Sequence, residues 1–219
     1  DNNTNSSYNH DGSYWPSAFK RNVWEYNVKL AIESVQEMGF NEIQFDYVRF
    51  PDGTAGSKSK LNFHNTYNES KVAAIQGFLQ YAKEELSQKE VYIAADMFAW
   101  PIVACDDQDI GQFLPAIANI VDVVCPMPYL DHFNYGSFGI DYPSEEPYNT
   151  LTSFTKISKE QIKCIKHPAK YRTWIQGYNL DSKEVNQEIK ALIDNDYPGY
   201  MVWLASGDPN DIEKIKNGF

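Results

Sequence analysis

Two charged side chains, those of Asp46 and Arg49, come at the end of an apolar segment that has the pattern of a β-strand. In residues 41–51, NEIQFDYVRFP, apolar and polar residues alternate before a proline ends the pairing. The flanking helical patterns predict a parallel strand buried on both faces, where a charge is costly unless it is paired or has a chemical task. Asp46 could form a structural ion pair with Arg49 or with another neighbouring residue. Carboxylates at the C-terminal ends of barrel strands, however, commonly belong to active sites, which favours Asp46 as a functional group.

A second apolar segment, residues 91–98, carries a carboxylate at the same place in its pattern, Asp96. If Asp96 faces the same side of the sheet as Asp46, the two acids occupy equivalent levels on adjacent strands, with their carboxyl groups about 5 to 7 Å apart. Hydrolysis of glycosidic bonds uses such a pair, with one acid protonating the leaving oxygen and the other acting as nucleophile or base. Repulsion between the two charges would keep one of them protonated near neutrality. The sequence thus predicts Asp46 and Asp96 as a catalytic pair.

The elements that must position this pair alternate along the chain. Periodicity predicts helices over residues 20–38, 69–87, 107–119, 148–165, 182–195 and 209–216, and strands over residues 43–50, 91–98, 121–129, 171–178 and 199–204. This alternation is typical of a parallel sheet with helical crossovers, either doubly wound or closed into a barrel. No glycine-rich phosphate loop follows a strand, and polar residues lie at the ends of several strands. Both observations favour an α/β barrel of the TIM type.

Five strands cannot close an eight-stranded barrel. We therefore expect residues 1–219 to form a single, incomplete (βα) barrel domain with about five of the eight βα units. The missing units would belong to an upstream part of the same polypeptide, and the Asn- and Ser-rich residues 1–13 would be a flexible segment. A strand exposed at the sheet edge near Asp46 would be the structural sign of this incompleteness.

Four further residues at or just beyond strand ends are candidates for binding the substrate, in addition to Arg49. Tyr129 and His132 follow the third strand, Gln176 ends the fourth, and Trp203 lies near the end of the fifth. Trp203 could stack on a sugar ring, and His132 could contact a hydroxyl group. The alternatives are a core tryptophan and a hydrogen-bonded structural histidine, which are common roles for these residue types.

The composition of the chain excludes some functions and permits others. With a net charge of −11, the chain lacks the cationic excess that nucleic-acid binding requires, so we predict no nucleic-acid partner. No apolar run is long enough to span a bilayer. The three cysteines form no CxxC pattern, and HxH and HExxH motifs are absent, so we predict neither a metal site nor a cofactor. Aromatic residues make up 15%, which suits a carbohydrate substrate and equally suits an ordinary α/β core.

Four motifs in consistent order resemble one family. The segments FNEIQFDYVRFP (40–51), AADMFAW (94–100), DIGQ (109–112) and VDVVCPMPYLDHFNYGSFGI (121–140) are similar to the family known as domain of unknown function 4015, over about residues 15–204. The resemblance implies a TIM barrel related to glycosidases, with the family's N-terminal strands lying before this chain. The family usually has Pro-Ser-His where this chain has Leu130-Asp131-His132. That difference weakens Asp131 as a catalytic residue and leaves Asp46 and Asp96 as the better pair.

A looser similarity links the chain to the chitinase-like enzymes of glycoside hydrolase family 18. Met127-Pro-Tyr129 resembles their M-x-Y strand, and Met201-Val-Trp203 resembles their last strand. The catalytic glutamate of those enzymes would fall at Val48 in this chain. The substrate-assisted mechanism of that family is therefore not implied here.

The leading hypothesis is a glycosidase that cleaves a polysaccharide with Asp46 and Asp96. The alternatives are a non-catalytic carbohydrate-binding barrel and a metal-dependent hydrolase. Because polysaccharides occur mostly outside cells, we expect the protein to act at the cell surface or beyond it.

Overall fold

The computed structural model describes residues 9–10, 13–52 and 61–219. The strands are β1 (Asn9–His10), β2 (Ser13–Tyr14), β3 (Glu42–Phe45), β4 (Tyr92–Phe98), β5 (Val123–Met127), β6 (Lys170–Tyr171), β7 (Thr173–Gln176) and β8 (Tyr200–Trp203). The helices are α1 (Arg21–Met38), α2 (Lys71–Ser87), α3 (Ala99–Ala104), α4 (Leu114–Ala118), α5 (Pro147–Ile162), α6 (Ser182–Asp194) and α7 (Pro209–Ile215). Short 3-10 turns cover Leu130–His132, Ser137–Gly139, Pro143–Glu145 and Lys216–Gly218. The predicted flexible segment, residues 1–13, lies largely outside the described residues.

The strands from β3 onward pair in parallel. β3, β4, β5 and β6 are hydrogen-bonded side by side, and β7 pairs with β8. Only Arg172 separates β6 from β7, and its N–H donates to the Val124 carbonyl at 3.0 Å, so the two short strands continue one strand path. β1 and β2 form a separate antiparallel pair. The predicted α/β fold with parallel strands is confirmed, whereas an incomplete barrel of five units stays a prediction.

Local sequence explains the long helices. In α1, Trp24, Val28 and Ala31 recur at helical spacing and are buried, and the helix ends at Gly39, which adopts a φ of 75° without strain. α6 begins with a capping box that satisfies N–H groups in its first turn. None of the helices in the described part of the chain is long and apolar enough to cross a membrane.

The helix predicted at residues 107–119 is wrong in its extent. Only α4 is helical there, and it follows a turn in which Gln108, Asp109 and Gly111 have left-handed φ values of 47°, 56° and 82°. Three left-handed residues within four positions cannot continue a right-handed helix. The short helix α3, directly after β4, is also missing from the sequence prediction. Helical periodicity detects neither the turn nor a helix of this length.

The strands present one face to the helices and the other to a small second cluster of side chains. On β4, Ile93 and Met97 belong to the main core, which includes residues of α1 and α2. Ala94 instead packs with Cys125 and Trp174, which come from neighbouring strand paths. We call the face that carries Ala94 the inner face. Because side chains alternate along a strand, Asp96 lies on the inner face as well.

An ion pair connects the first and fourth parallel strand paths across the inner face. Arg172 donates from both terminal nitrogens to the carboxylate of Glu42, with Nη2 lying 2.9 Å from Oε2. Both side chains are partly exposed. Glu42 is the first residue of β3, so the bridge lies at the N-terminal end of that strand and leaves the C-terminal ends free for a site.

Candidate active site

The side chain of Asp96 is buried on the inner face and is held by two donors. Its Oδ1 accepts hydrogen bonds from Gln44 Nε2 at 2.7 Å and from Trp174 Nε1 at 2.8 Å, and the residue is only 5% exposed. No hydrogen bond from another described residue reaches Oδ2. Burial, and secondarily the charge of Asp46, raise the pKa of Asp96 to about 6, although the two hydrogen bonds favour the ionised form. The group can therefore carry a proton on Oδ2 in mildly acidic solution.

Asp46 lies beside Asp96, one residue beyond β3. The strand register pairs Phe45 with Ala95, so the next residues, Asp46 and Asp96, come at the same level of adjacent parallel strands. Asp46 is exposed, and its Oδ1 accepts a hydrogen bond from the Tyr47 N–H at 2.6 Å. The structure thus brings together the two carboxylates singled out in the sequence, one buried and one exposed. Their catalytic roles stay a prediction.

Tyr129 and His132 lie at the same end of the sheet, on the loop after β5. Burial raises the pKa of Tyr129, and the charges of Asp96 and Asp46 add to the effect, which indicates that the hydroxyl lies near both acids. The ring of His132 stands edge-on to that of Tyr129, with centroids 5.3 Å apart, and its side chain is largely exposed. The exposed side chain of His132 is thus accessible to a ligand.

Gln176 is buried at the end of β7, where it holds two loops together. Its Oε1 accepts a hydrogen bond from the Asp131 N–H at 3.3 Å, and its Nε2 donates to the Tyr178 carbonyl at 3.0 Å. The Tyr178 hydroxyl in turn donates to Asp131 Oδ1 at 2.9 Å. The buried carboxyl of Glu188 accepts from the Gln176 N–H at 3.2 Å. This geometry gives Gln176 a positioning task at the rim, and direct contact with a substrate stays a prediction.

Trp203 is 45% exposed and stands edge-on to Trp174, with ring centroids 6.0 Å apart. Since Trp174 donates to Asp96, the ring of Trp203 lies one side chain away from the buried acid. The helices do not cover Trp203, so it is not the core tryptophan that the sequence analysis gave as the alternative.

Arg49 is 7% exposed, and its guanidinium is used within the protein. Nη1 donates to the Phe50 carbonyl at 3.0 Å and lies 3.6 Å from Asp52 Oδ1, so its ionic partner is Asp52. Burial lowers the pKa of Arg49, and nearby negative charges oppose that shift. A direct contact between Arg49 and a substrate stays a prediction.

Gln44 and Trp174, the two donors to Asp96, were not among the candidates drawn from the sequence. Each lies two residues before a candidate, Gln44 before Asp46 and Trp174 before Gln176, and therefore on the same strand face. Their N–H groups are uncharged donors. Unlike lysine or arginine, they orient a carboxyl group without adding a positive charge that would strongly favour its ionised form. The two-residue period of the strands, together with the presence of side-chain N–H donors, could have identified Gln44 and Trp174 from the sequence.

Two cavities open near these residues. One of about 660 Å³ is lined by Trp15, Trp24, Phe45, Asp46, Tyr47 and Arg49, among others. The other, of about 570 Å³, lies where the loops after β7 and β8 meet, and its lining is mostly polar. Within the described ranges, His, Cys, Asp and Glu side chains form no group of three or more that could hold a metal ion.

Solved structures that share this fold include a glycoside hydrolase domain, a spore cortex-lytic enzyme and a class V chitinase. The PgaB (BpsB) glycoside hydrolase domain from Bordetella bronchiseptica is 12% identical with a TM-score of 0.62, covering 95% of this chain and 67% of that one. The spore cortex-lytic enzyme SleL from Bacillus megaterium QM B1551 is 13% identical with a TM-score of 0.64, covering 96% and 58%. A class V chitinase from Pseudomonas fluorescens Pf-5 is 12% identical with a TM-score of 0.62, covering 96% and 78%. The chain thus spans between 58% and 78% of the length of these relatives.

At these identities the structural similarity shows the fold, and a family model shows the family. The curated proteins contain no match to this chain. The model for domain of unknown function 4015, described as "putative glycosyl hydrolase domain", matches residues 1–208. The match spans nearly the whole chain and includes both carboxylates and the strands that carry them. The chain therefore belongs to the family known as domain of unknown function 4015.

Proposed function

We propose that this chain is the carboxylate-bearing part of a glycoside hydrolase that cleaves a polysaccharide, with Asp96 as general acid and Asp46 as nucleophile or base. The observation that carries the proposal is the unequal environment of two adjacent carboxyl groups. Asp96 is buried with its pKa raised to about 6, while Asp46 is exposed at the same level. Glycosidases depend on this division between a carboxyl group that holds a proton and one that does not.

In the proposed reaction the proton on Asp96 Oδ2 passes to the glycosidic oxygen as the bond from that oxygen to the anomeric carbon breaks. Gln44 and Trp174 hold Oδ1 and so fix the direction in which Oδ2 points. The carboxylate of Asp46 either attacks the anomeric carbon or removes a proton from the water that does so. In both cases its negative charge stabilises the developing positive charge on the sugar.

The remaining candidates would surround this pair. Trp203 supplies an exposed ring for stacking, His132 supplies a polar group for hydroxyl contacts, and Tyr129 supplies a hydroxyl near the two acids. Arg49 and Gln176 act mainly by holding the loops at the rim. The names of two structural relatives, a chitinase and a spore cortex-lytic enzyme, support a polymeric substrate. A substrate of that size places the enzyme at the cell surface or outside the cell.

We also propose that residues 1–219 form one barrel domain that is completed by upstream polypeptide. In the described part of the chain, β3 pairs only with β4 and β8 only with β7, so each has one open edge. Open strand edges invite pairing, and natural proteins cover them. The three further βα units of an eight-stranded barrel would fill the gap between these two edges.

The pH dependence of turnover tests the proposal. Hydrolysis of a polysaccharide such as chitin should fall as the pH rises through about 6, because the general acid then loses its proton. Trp174→Phe removes a hydrogen bond that favours ionised Asp96, so it should raise the pKa of Asp96 and move the falling limb to higher pH. The measurement is kcat/KM between about pH 4 and pH 8.

Trp203→Phe is the matched control, because Trp203 lies against Trp174 without a hydrogen bond to Asp96. It should leave the position of the limb unchanged. A limb that stays in place in Trp174→Phe would contradict the assignment of Asp96 as the acid.

A further inference from the structure

The residue after Asp46 has an unusual backbone conformation. Tyr47 has a φ of 54°, in the left-handed region that aromatic residues rarely adopt. Two hydrogen bonds hold this conformation: the Tyr47 N–H donates to Asp46 Oδ1 at 2.6 Å, and the Tyr47 carbonyl accepts from the Arg49 N–H at 2.8 Å. The turn leaves the ring 66% exposed at the C-terminal end of β3. Strain of this kind beside a candidate catalytic group is a reason to look for a functional role.

A buried cation lies within cation–π distance of the exposed ring. The Arg49 guanidinium lies 5.5 Å from the ring centroid of Tyr47, 4.8 Å from that of Trp15 and 4.4 Å from that of Phe98. The hydrogen bond from the guanidinium to the Phe50 carbonyl restricts the movement of the Arg49 side chain. Cation–π contacts with a largely desolvated arginine hold rings firmly, so a ligand that stacks on them meets a preorganised surface.

Tyr47 and Trp15 together form a rigid aromatic surface. Their centroids are 5.8 Å apart with an interplanar angle of 70°, an edge-to-face pair. Both line the cavity of about 660 Å³ that also includes Asp46 and Arg49. We call this pair, with Arg49 behind it, the aromatic ledge.

We infer that the aromatic ledge of Tyr47 and Trp15 binds a pyranose ring of the substrate chain next to Asp46. This inference rests on the proposed function. The C–H groups of a pyranose form an apolar face that packs on an aromatic ring, while its hydroxyl groups suit the polar neighbours Asp46 and Asp52. The ledge lies beyond the last residue of β3, so a strand that paired with the open edge of Glu42–Phe45 would leave it accessible at the rim.

The test uses Tyr47→Gly, because glycine adopts a positive φ without cost and the variant loses the ring while keeping the backbone. Binding of chitohexaose and of cellohexaose is measured by calorimetry, with Asp96→Asn in every protein so that neither sugar is cleaved. Tyr92→Ala is the matched control, since Tyr92 is 62% exposed and lies at the start of β4, the opposite end of the sheet. Tyr47→Gly should weaken binding about tenfold, equal to about 1.4 kcal/mol, and Tyr92→Ala should leave it unchanged.

Thermal unfolding separates a binding role from a structural one. The strain relieved at a φ of 54° is offset by the lost ring contacts and by the greater freedom of glycine in the unfolded chain, so Tyr47→Gly should melt close to the temperature of its parent. Unchanged affinity in Tyr47→Gly would overturn the inference that the aromatic ledge binds sugar, and it would leave the proposed hydrolase function intact. If the melting temperature fell while the affinity stayed unchanged, the Tyr47 ring would have a role in stability alone. If the parent binds neither hexasaccharide, the ledge is overturned, and turnover by the protein completed with its upstream polypeptide and carrying native Asp96 decides separately on the proposed function.

Discussion

Asp96→Asn is expected to abolish hydrolysis while making the protein more stable at pH 7. The asparagine keeps an oxygen that can accept from Gln44 and Trp174, but it has no proton to give to the leaving group. Turnover should fall by about 10³-fold or more. The free energy of unfolding at pH 7 should rise by about 2 to 3 kcal/mol, because the variant no longer buries an acid that ionises in the folded protein.

The sign follows from the two pKa values. The folded-state pKa of Asp96, about 6, lies above its ordinary value of 3.8. Between these values the unfolded chain has lost the proton that the folded protein retains, so the stability contributed by protonated Asp96 is complete below 3.8 and is lost as the pH rises to about 6. The difference between variant and wild type should therefore be near zero at the lowest pH and should level off above pH 6.

Urea unfolding at several pH values measures this difference, and Asp141→Asn is its control. Asp141 is an exposed residue of the loop after β5, and its replacement should change neither turnover nor the pH profile of stability. Equal stability of Asp96→Asn and wild type at pH 7 would show that Asp96 ionises as an ordinary exposed acid.

Asp46→Asn should remove turnover and leave sugar binding nearly intact. The variant keeps the size of the side chain and an oxygen for the Tyr47 N–H, but it loses the charge that acts on the anomeric carbon. We expect a loss of about 10³-fold in kcat and less than about threefold in the dissociation constant. Because the Asp46 charge raises the pKa of Asp96, the residual activity should also decline at a lower pH than in wild type.

Kinetics and calorimetry on the same oligosaccharide distinguish an enzyme from a carbohydrate-binding barrel. A binding protein would show affinity but no turnover before any substitution, in the chain alone and when completed by the upstream polypeptide. Asp46→Asn that retained full turnover would instead exclude the paired-carboxylate mechanism.

The relation of Asp46 to Asp96 was predictable because it depends on two simple regularities. Alternation of helices and strands requires parallel strands, and the two-residue period of a strand decides which side chains share a face. Phe45 pairs with Ala95 as that reasoning requires. The spans of α1, α2 and α6 were predictable for the same reason, since each carries a continuous helical pattern.

The contact of Asp96 with Trp174 was not predictable from the sequence. The two residues are 78 positions apart, and they meet on the inner face although the strand path of β5 lies between those of β4 and β7. Periodicity gives the face of each residue but not the curvature of the sheet. The left-handed turn at Tyr47 was also not predictable. The apolar–polar alternation of the sequence continues through Tyr47, whereas the extended backbone of β3 ends before it.

The ion pair between Arg172 and Glu42 has a consequence for how the chain reaches this structure. The two residues are 130 positions apart, and every element from α2 to β6 lies between them along the chain. No local hairpin can bring them together, because each parallel pair needs a crossover helix first. We therefore expect the pair to form after most of the entropy of loop closure has been lost, so that its removal speeds unfolding more than it slows folding. The ion pair joins the first and fourth parallel strand paths at the N-terminal end of the sheet, away from the candidate catalytic groups.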